Sequence, residues 1–138
     1  MKLRAFENRD KDEVISLWQC CGLVAPHNDP EKDIQRKLLV DPDLFLIGEI
    51  DSRITASVMV GYEGHRGWIN YLAVLPEMQG KGYGREMMQV AEQRLRDRGC
   101  AKINLQVRAS NQTVLDFYAA LGYGSDDVVS FGKRLEHD

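Results

Sequence analysis

The segment Gln79-Gly80-Lys81-Gly82-Tyr83-Gly84-Arg85 stands between an apolar run ending in Val74-Leu75-Pro76 and an amphipathic run starting at Tyr83. These residue types at a strand-to-helix junction can hold an anion. The first N–H groups of a helix have no intrahelical acceptor and carry the positive end of its dipole. Glycines let a phosphate come close to the backbone and permit the left-handed turns that such a loop needs. Lys81 and Arg85 add positive charge. A plain flexible connection would read the same way. Two narrower phosphate motifs fail on spacing: Lys81 is followed by Gly82 rather than Ser or Thr, and a dinucleotide fingerprint needs glycine where Arg85 stands. The residue about twenty further on, Asn104, is not acidic either.

Other side chains with chemical potential are dispersed. Tyr118 follows Asn111 by seven residues, two turns along one helix face. Glu63 and His65 fall in a turn-rich stretch, Glu63-Gly64-His65-Arg66-Gly67, where either could take a proton or simply be solvated. His27, Asn28 and Asp29 form a polar loop, and Asn70 and Tyr71 lie on a predicted strand. His27, His65 and His137 show no metal-ligand spacing with cysteine, so no metal site is expected. Cys100 precedes a strand and Cys20-Cys21 close a helix, so packing is their expected role.

The positioning elements follow from periodicity. Residues 2–6 read as a strand. Asp10 is placed to cap a helix carrying Val14, Ile15, Leu17 and Trp18, closed by Gly22. Pro30 opens a second helix through "EKDIQRKLLV". Residues 44–50 are a strand. Residues 54–62 and 67–75 form a hairpin, with Ile54, Ala56, Val58 and Val60 expected on one face. Residues 83–98 are a helix with Tyr83, Met87, Met88, Val90, Ala91 and Leu95 in its stripe and Gly99 at its end. "KINLQVR" alternates as a strand, Asn111 caps a helix with Val114, Phe117, Tyr118 and Leu121, and "DVVSFGKRL" is expected to be a final strand. This order predicts one α/β domain over residues 1–138, a mixed sheet flanked by helices on both faces. The last strand, as a sheet edge, would be where a homodimer forms.

Together these features resemble the Gcn5-related N-acetyltransferase (GNAT) superfamily. Its central motif, Gln/Arg-x-x-Gly-x-Gly/Ala after a strand ending Val-x-Pro, matches Val74-Leu75-Pro76 and Gln79 to Gly84. A second family motif, Asn-x-x-Ala-x-x-Phe-Tyr-x-x-Leu-Gly-Phe, matches Asn111, Phe117, Tyr118, Leu121 and Gly122, with Val114 for alanine and Tyr123 for phenylalanine. The two motifs lie in the family's order, and the element order covers essentially the whole chain. Small bacterial members of the YpeA type are echoed by Gly64 to Gly67 and Gly132 to Leu135.

The resemblance implies acetyl-CoA as acetyl donor, its pyrophosphate gripped by the amides of Gln79, Gly80, Lys81, Gly82, Gly84 and Arg85. It implies that the pantetheine arm pairs with the strand near Leu72 and Val74, with a further contact from Asn111. Tyr118 becomes the general acid for the leaving thiolate, and Glu63 the candidate base, with His65 an alternative. His27, Asn28, Asn70 and Tyr71 are expected to shape the acceptor site. The expected activity is direct acetyl transfer to an amine, on a small molecule or a peptide. The competing expectations are an inactive acyl-CoA-binding regulatory module and a protein N-terminal acetylase.

The bulk composition is consistent with this. The chain has 138 residues, 43% hydrophobic and 28% charged, with a net charge of -3. No Lys/Arg block points to nucleic acid, and no apolar run approaches a membrane span. The charge-dense start is unlike a signal peptide, and three cysteines do not make a disulfide framework. A cytoplasmic protein with reduced thiols is expected.

Overall fold

The computed structural model describes all residues from Met1 to Asp138. The chain falls into two compact units, Met1–Asn104 together with Asp138, and Leu105–His137.

The first unit is built on a sheet. Its strands are β1 (Lys2–Ala5), β2 (Phe45–Ile50), β3 (Arg53–Tyr62), β4 (Gly67–Val74) and β5 (Ile103–Leu105), side by side in that order. The first three pairings are antiparallel. The Gly67 N–H at the start of β4 donates to the Lys102 carbonyl just before β5 (2.8 Å), so these two strands run the same way and the sheet is mixed. The intervening α3 (Tyr83–Asp97) is the crossover that a parallel pair requires.

Two further helices, α1 (Lys11–Cys20) and α2 (Pro30–Lys37), lie in the first half of the chain. Val14, Leu17 and Trp18 of α1 and Ile34 of α2 form one core with Phe45, Ile47, Ile54, Met59, Ala73 and Leu75. Trp18 and Phe45 are fully buried, and Phe6 stacks on Phe45 with ring centres 4.5 Å apart. Met87, Met88, Ala91 and Leu95 of the α3 stripe are buried, with Tyr83 and Val90 half-buried. Gly67 sits under this helix. A Cβ there would lie 2.8 Å from Leu95 Cδ1, so any side chain would force Leu95 to shift.

Three local expectations are corrected. Ile54 does not share a face with Ala56, Val58 and Val60. The β2–β3 register shifts at Gly48/Glu49, leaving Thr55 as an extra residue, and this turns Ile54 toward the Trp18 core. Asp10 does not cap α1. That helix continues directly from a 3-10 turn, Asn8–Asp10, and the Asp10 carboxylate turns back to accept from the Glu7 N–H (2.8 Å) and from Arg4 (2.6 and 2.8 Å). Arg4 also bonds Glu49, tying β1, β2 and the turn together.

The third correction concerns the chain's last segment. Residues 127–135 form no strand, and Val128, Val129, Phe131 and Leu135 are exposed. Val128-Val129 breaks the alternation that a half-buried strand needs, and Gly132-Lys133-Arg134 supplies no apolar face. The edge expected to pair two subunits is therefore not formed. β5 is also shorter than "KINLQVR" predicts, three residues long. The second unit otherwise consists of α4 (Gln112–Ala120), capped by Asn111, whose Oδ1 accepts from the Val114 N–H (3.2 Å).

Candidate active site

β4 leads into the glycine segment through a 3-10 turn, Pro76–Met78. Gly80 and Gly82 follow with φ of +78° and +89°, and Gly82 is the N-cap of α3. A side chain at either would be strained, and the space where its Cβ would stand is open. The first backbone bond into α3 runs from the Glu86 N–H to the Gly82 carbonyl (3.0 Å). The N–H groups of Tyr83, Gly84 and Arg85 thus have no helical acceptor. An exposed helix start, with nothing above two left-handed glycines, fits a pyrophosphate. Lys81 and Arg85 are exposed beside it.

β4 itself is broken in the middle. Ser57 faces Ala73 and Met59 faces Asn70, so Tyr71 and Leu72 together oppose Val58. Tyr71 occupies this bulge at φ +51°, a conformation that costs a non-glycine residue about 1–2 kcal/mol. A buried network holds it. Trp18 Nε1 donates to Ser57 Oγ (2.9 Å), and Ser57 Oγ donates to the Tyr71 carbonyl (3.0 Å). The Tyr71 ring stacks on Trp18 with centres 3.8 Å apart, and its hydroxyl donates to Asp33 Oδ2 on α2 (2.6 Å). Burial, that hydrogen bond and the Asp33 charge all raise the Tyr71 pKa, so the phenol stays protonated.

Past the bulge, Val74 closes the strand. Its carbonyl accepts from Gln79 Nε2 (2.9 Å) and from Cys21 Sγ (3.2 Å). The Gln79 side chain therefore ties the glycine segment back to the end of β4. Burial raises the Cys21 thiol pKa, which suits a packed donor rather than a nucleophile. β4 has eight residues and β5 three, paired from their starts, so the ladder between them ends before β4 does. The half of β4 that holds Leu72 and Val74 extends beyond it.

The structure is clear about the other residues singled out in the sequence. Asn70 is exposed on β4 immediately before the bulge. His27 is exposed, and Asn28 lies in the same turn, its N–H bonded to the Ala25 carbonyl (3.0 Å). Asp29 caps α2, accepting from the N–H groups of Glu31 (3.0 Å) and Lys32 (3.3 Å). Glu63 is not brought to the glycine segment. It lies beyond the start of β4, whose seven residue steps span about 23 Å. Its carboxylate closes the β3–β4 turn, accepting from the N–H groups of Arg66 (2.9 Å) and His65 (3.3 Å). The Arg66 bond first, then the other turn amides, lower its pKa, which opposes proton uptake.

In the second unit, Tyr118 is 9% exposed on α4, edge-on to Phe117 (5.1 Å) and Tyr123 (5.6 Å). Burial alone pushes its phenol up to about 12.

Ser57, Trp18 and Asp33 were not singled out as site residues. A serine within an apolar strand and an aspartate within an amphipathic helix were the available signals, since buried polar groups need partners.

The strand running into an open glycine turn at a helix start is what the sequence motif predicts, and the bulge within that strand is new. The Acetyltransferase (GNAT) family model matches residues 11–123 of this chain. The chain belongs to the GNAT family. An acetyltransferase of Yersinia enterocolitica is 46% identical over 135 residues, 98% of this chain and 96% of that protein. One of Pectobacterium atrosepticum is 46% identical over 138 residues, covering 100% of this chain and 98% of the relative. Among solved structures, the PaiA N-acetyltransferase of Thermoplasma acidophilum, in complex with coenzyme A, superposes with a TM-score of 0.72 at 19% identity, over 93% of this chain and 92% of that one. The GNAT chain is an acetyltransferase, and none of its helices is long and apolar enough to cross a membrane.

Gly82→Val tests the loop. A β-branched side chain would fill the open space over the helix start. CoA affinity, measured by calorimetry, should fall by about tenfold or more, equivalent to 1.4 kcal/mol. Lys81→Ala should cost less, because it leaves the unpaired N–H groups of Tyr83, Gly84 and Arg85 in place. Equal affinity in wild type and Gly82→Val, with both shown to be folded, would contradict this role.

Proposed function

We propose that this protein is an acetyl-CoA-dependent N-acetyltransferase that passes the acetyl group directly to a primary amine. The observation that carries this is the open turn at Gly80 and Gly82 over the free N–H groups of α3. Bound there, acetyl-CoA would supply an acetyl thioester. The loop amides of Gln79 to Arg85 hold its pyrophosphate, and Leu72, on the unladdered half of β4, offers backbone to the arm. Val74 contributes less than expected, because its carbonyl already has two donors.

Tyr118 Oη holds the proton that the departing thiolate takes. With its pKa near 12, it is protonated at every working pH. Asn111 spends its Oδ1 on the α4 cap, which leaves its amide N–H groups for the cofactor. His27, Asn28, Asn70 and Tyr71 border the acceptor. Tyr71 acts as a fixed wall, since its hydroxyl is committed to Asp33. Glu63 is better read as the residue that closes its turn, and the amine sheds its proton to solvent or to the amine's own surroundings. Three free cysteines accord with a reducing cytoplasm.

Acetyl-CoA should raise the melting temperature, because a ligand bound only to the folded state stabilises it by about 2.7 kcal/mol at 100 times Kd. A melting curve unmoved by saturating acetyl-CoA and by CoA would refute the cofactor assignment. Thiol release across a panel of amines then separates an enzyme from a binding module.

A further inference from the structure

We propose that Arg36 is the receptor for a carboxylate on the acceptor, so that the amine substrate is an amino acid derivative or short peptide with a free carboxyl group. This rests on the acetyltransferase reading above for the amine end only. The carboxylate site stands on its own geometry.

A carboxylate already sits there. Asp138 places its side chain against α2, where Arg36 Nη2 donates to Oδ1 (2.7 Å) and Arg36 Nη1 to Oδ2 (3.1 Å). The Asp29 N–H also points at Oδ2, at 3.5 Å. Lys32 adds its charge from the same helix. The Asp138 side chain is 4% exposed, unlike an ordinary surface ion pair. The Arg36 bonds, ahead of the Asp29 N–H and the nearby charges, hold its pKa down to about 2 against the opposing effect of burial. Two parallel N–H bonds from one guanidinium are the geometry by which arginine recognises a carboxylate.

The cradle is wired to the bulged strand. Arg36 Nη1 also donates to Asp33 Oδ1 (3.3 Å), and Asp33 Oδ2 accepts from the Tyr71 hydroxyl (2.6 Å). Asp33 thus holds the guanidinium with one oxygen and the bulge tyrosine with the other. The residue that fixes the strand beside the cofactor arm also orients the carboxylate receptor. An acceptor with its carboxylate at Arg36 and its amine toward Leu72 must span the Asp33 carboxylate and the Tyr71 ring. A lone α-amino acid, with its two groups on one carbon, is too short for that span, so the acceptor carries its amine several bonds away from its carboxylate. Asp138 then occupies the place of the substrate's carboxylate, and an incoming acceptor must displace it.

The test uses glycylglycine and its C-terminal amide as probes of the full chain. In ¹⁵N-labelled Asp138→Asn protein, glycylglycine at tens of millimolar should shift the Arg36 Nε–Hε resonance. The amide should leave it in place, and Arg36→Gln should abolish the glycylglycine-induced shifts of the α2 backbone amides. Wild type should bind the dipeptide about tenfold more weakly than Asp138→Asn, since the apparent affinity falls with the fraction of empty cradle. No shift with glycylglycine in Asp138→Asn, or equal shifts with dipeptide and amide, would overturn the carboxylate receptor. The acetyl-CoA melting shift is read on the same samples. Its absence with a dipeptide-selective shift would sink the acetyltransferase reading and spare the cradle, and the opposite pattern would do the reverse.

Discussion

Tyr118→Phe should lower the single-turnover rate of acetyl transfer by a general-acid factor of about 10²–10⁴. The substitution keeps the ring, and with it the edge-on contacts to Phe117 and Tyr123 that bury it. Only the hydroxyl is lost, so the fold and CoA affinity should change little. The pH dependence has a definite sign. Burial raises the phenol to about 12, so the proton is present at all pH values below that and is lost only above it. The deficit of Tyr118→Phe should therefore be constant through the neutral range, and any limb in the wild-type profile there belongs to the acceptor amine. Matching rates for the two proteins, with chemistry shown to be limiting, would remove Tyr118 from the mechanism and leave it as a core aromatic.

Asp10→Asn should destabilise the fold by about 3 kcal/mol, the scale for breaking a buried ion pair by removing one partner. Asp10 is 5% exposed, and its carboxylate takes two hydrogen bonds from Arg4 and one from the Glu7 N–H. Arg4 keeps Glu49, so the loss should lie at the lower end for such pairs. Burial alone would raise the Asp10 pKa, but the Arg4 bonds, the Glu7 N–H and the Arg4 charge outweigh it, and the net shift is downward. A carboxylate with a depressed folded pKa stabilises above its unfolded value, near 3.9, and loses that contribution as pH falls through the folded value. Urea denaturation against pH should thus show wild type losing stability below about pH 4, with Asp10→Asn flatter over the same range. Parallel curves for the two proteins would mean that the pair contributes nothing.

The glycine turn was more legible in the sequence than the partners of the carboxylates. Gly82 was legible because the helix stripe starting at Tyr83 and the strand ending at Val74 leave one place for the turn. The Asn111 cap was legible because its partner N–H is only three residues away. Glu63 misled for the same local reason. Nothing within five residues distinguishes a base from a carboxylate that closes its own turn. The roles of Arg36 and Asp33 were not legible, because their partners, Asp138 and Tyr71, lie 102 and 38 residues away. The final strand does not form because its two adjacent valines have no common face to bury.

The bulge at Tyr71 also works on β4 as a frameshift works on a message. Gly67 and Ile69 belong to the frame that looks toward α3, as the Leu95 contact above Gly67 and the Ile69–Val60 pairing show. Counted by twos, Ala73 and Leu75 would be read in that same frame. They are instead in the Trp18 cluster, on the other side of the sheet. One strand thereby serves both layers of the protein from residues of a single parity. Had the same residues run on as a regular strand without the bulge, Ala73 and Leu75 would turn away from Trp18. The bulge across positions 71–72 is part of what the strand encodes, independently of which side chains stand there.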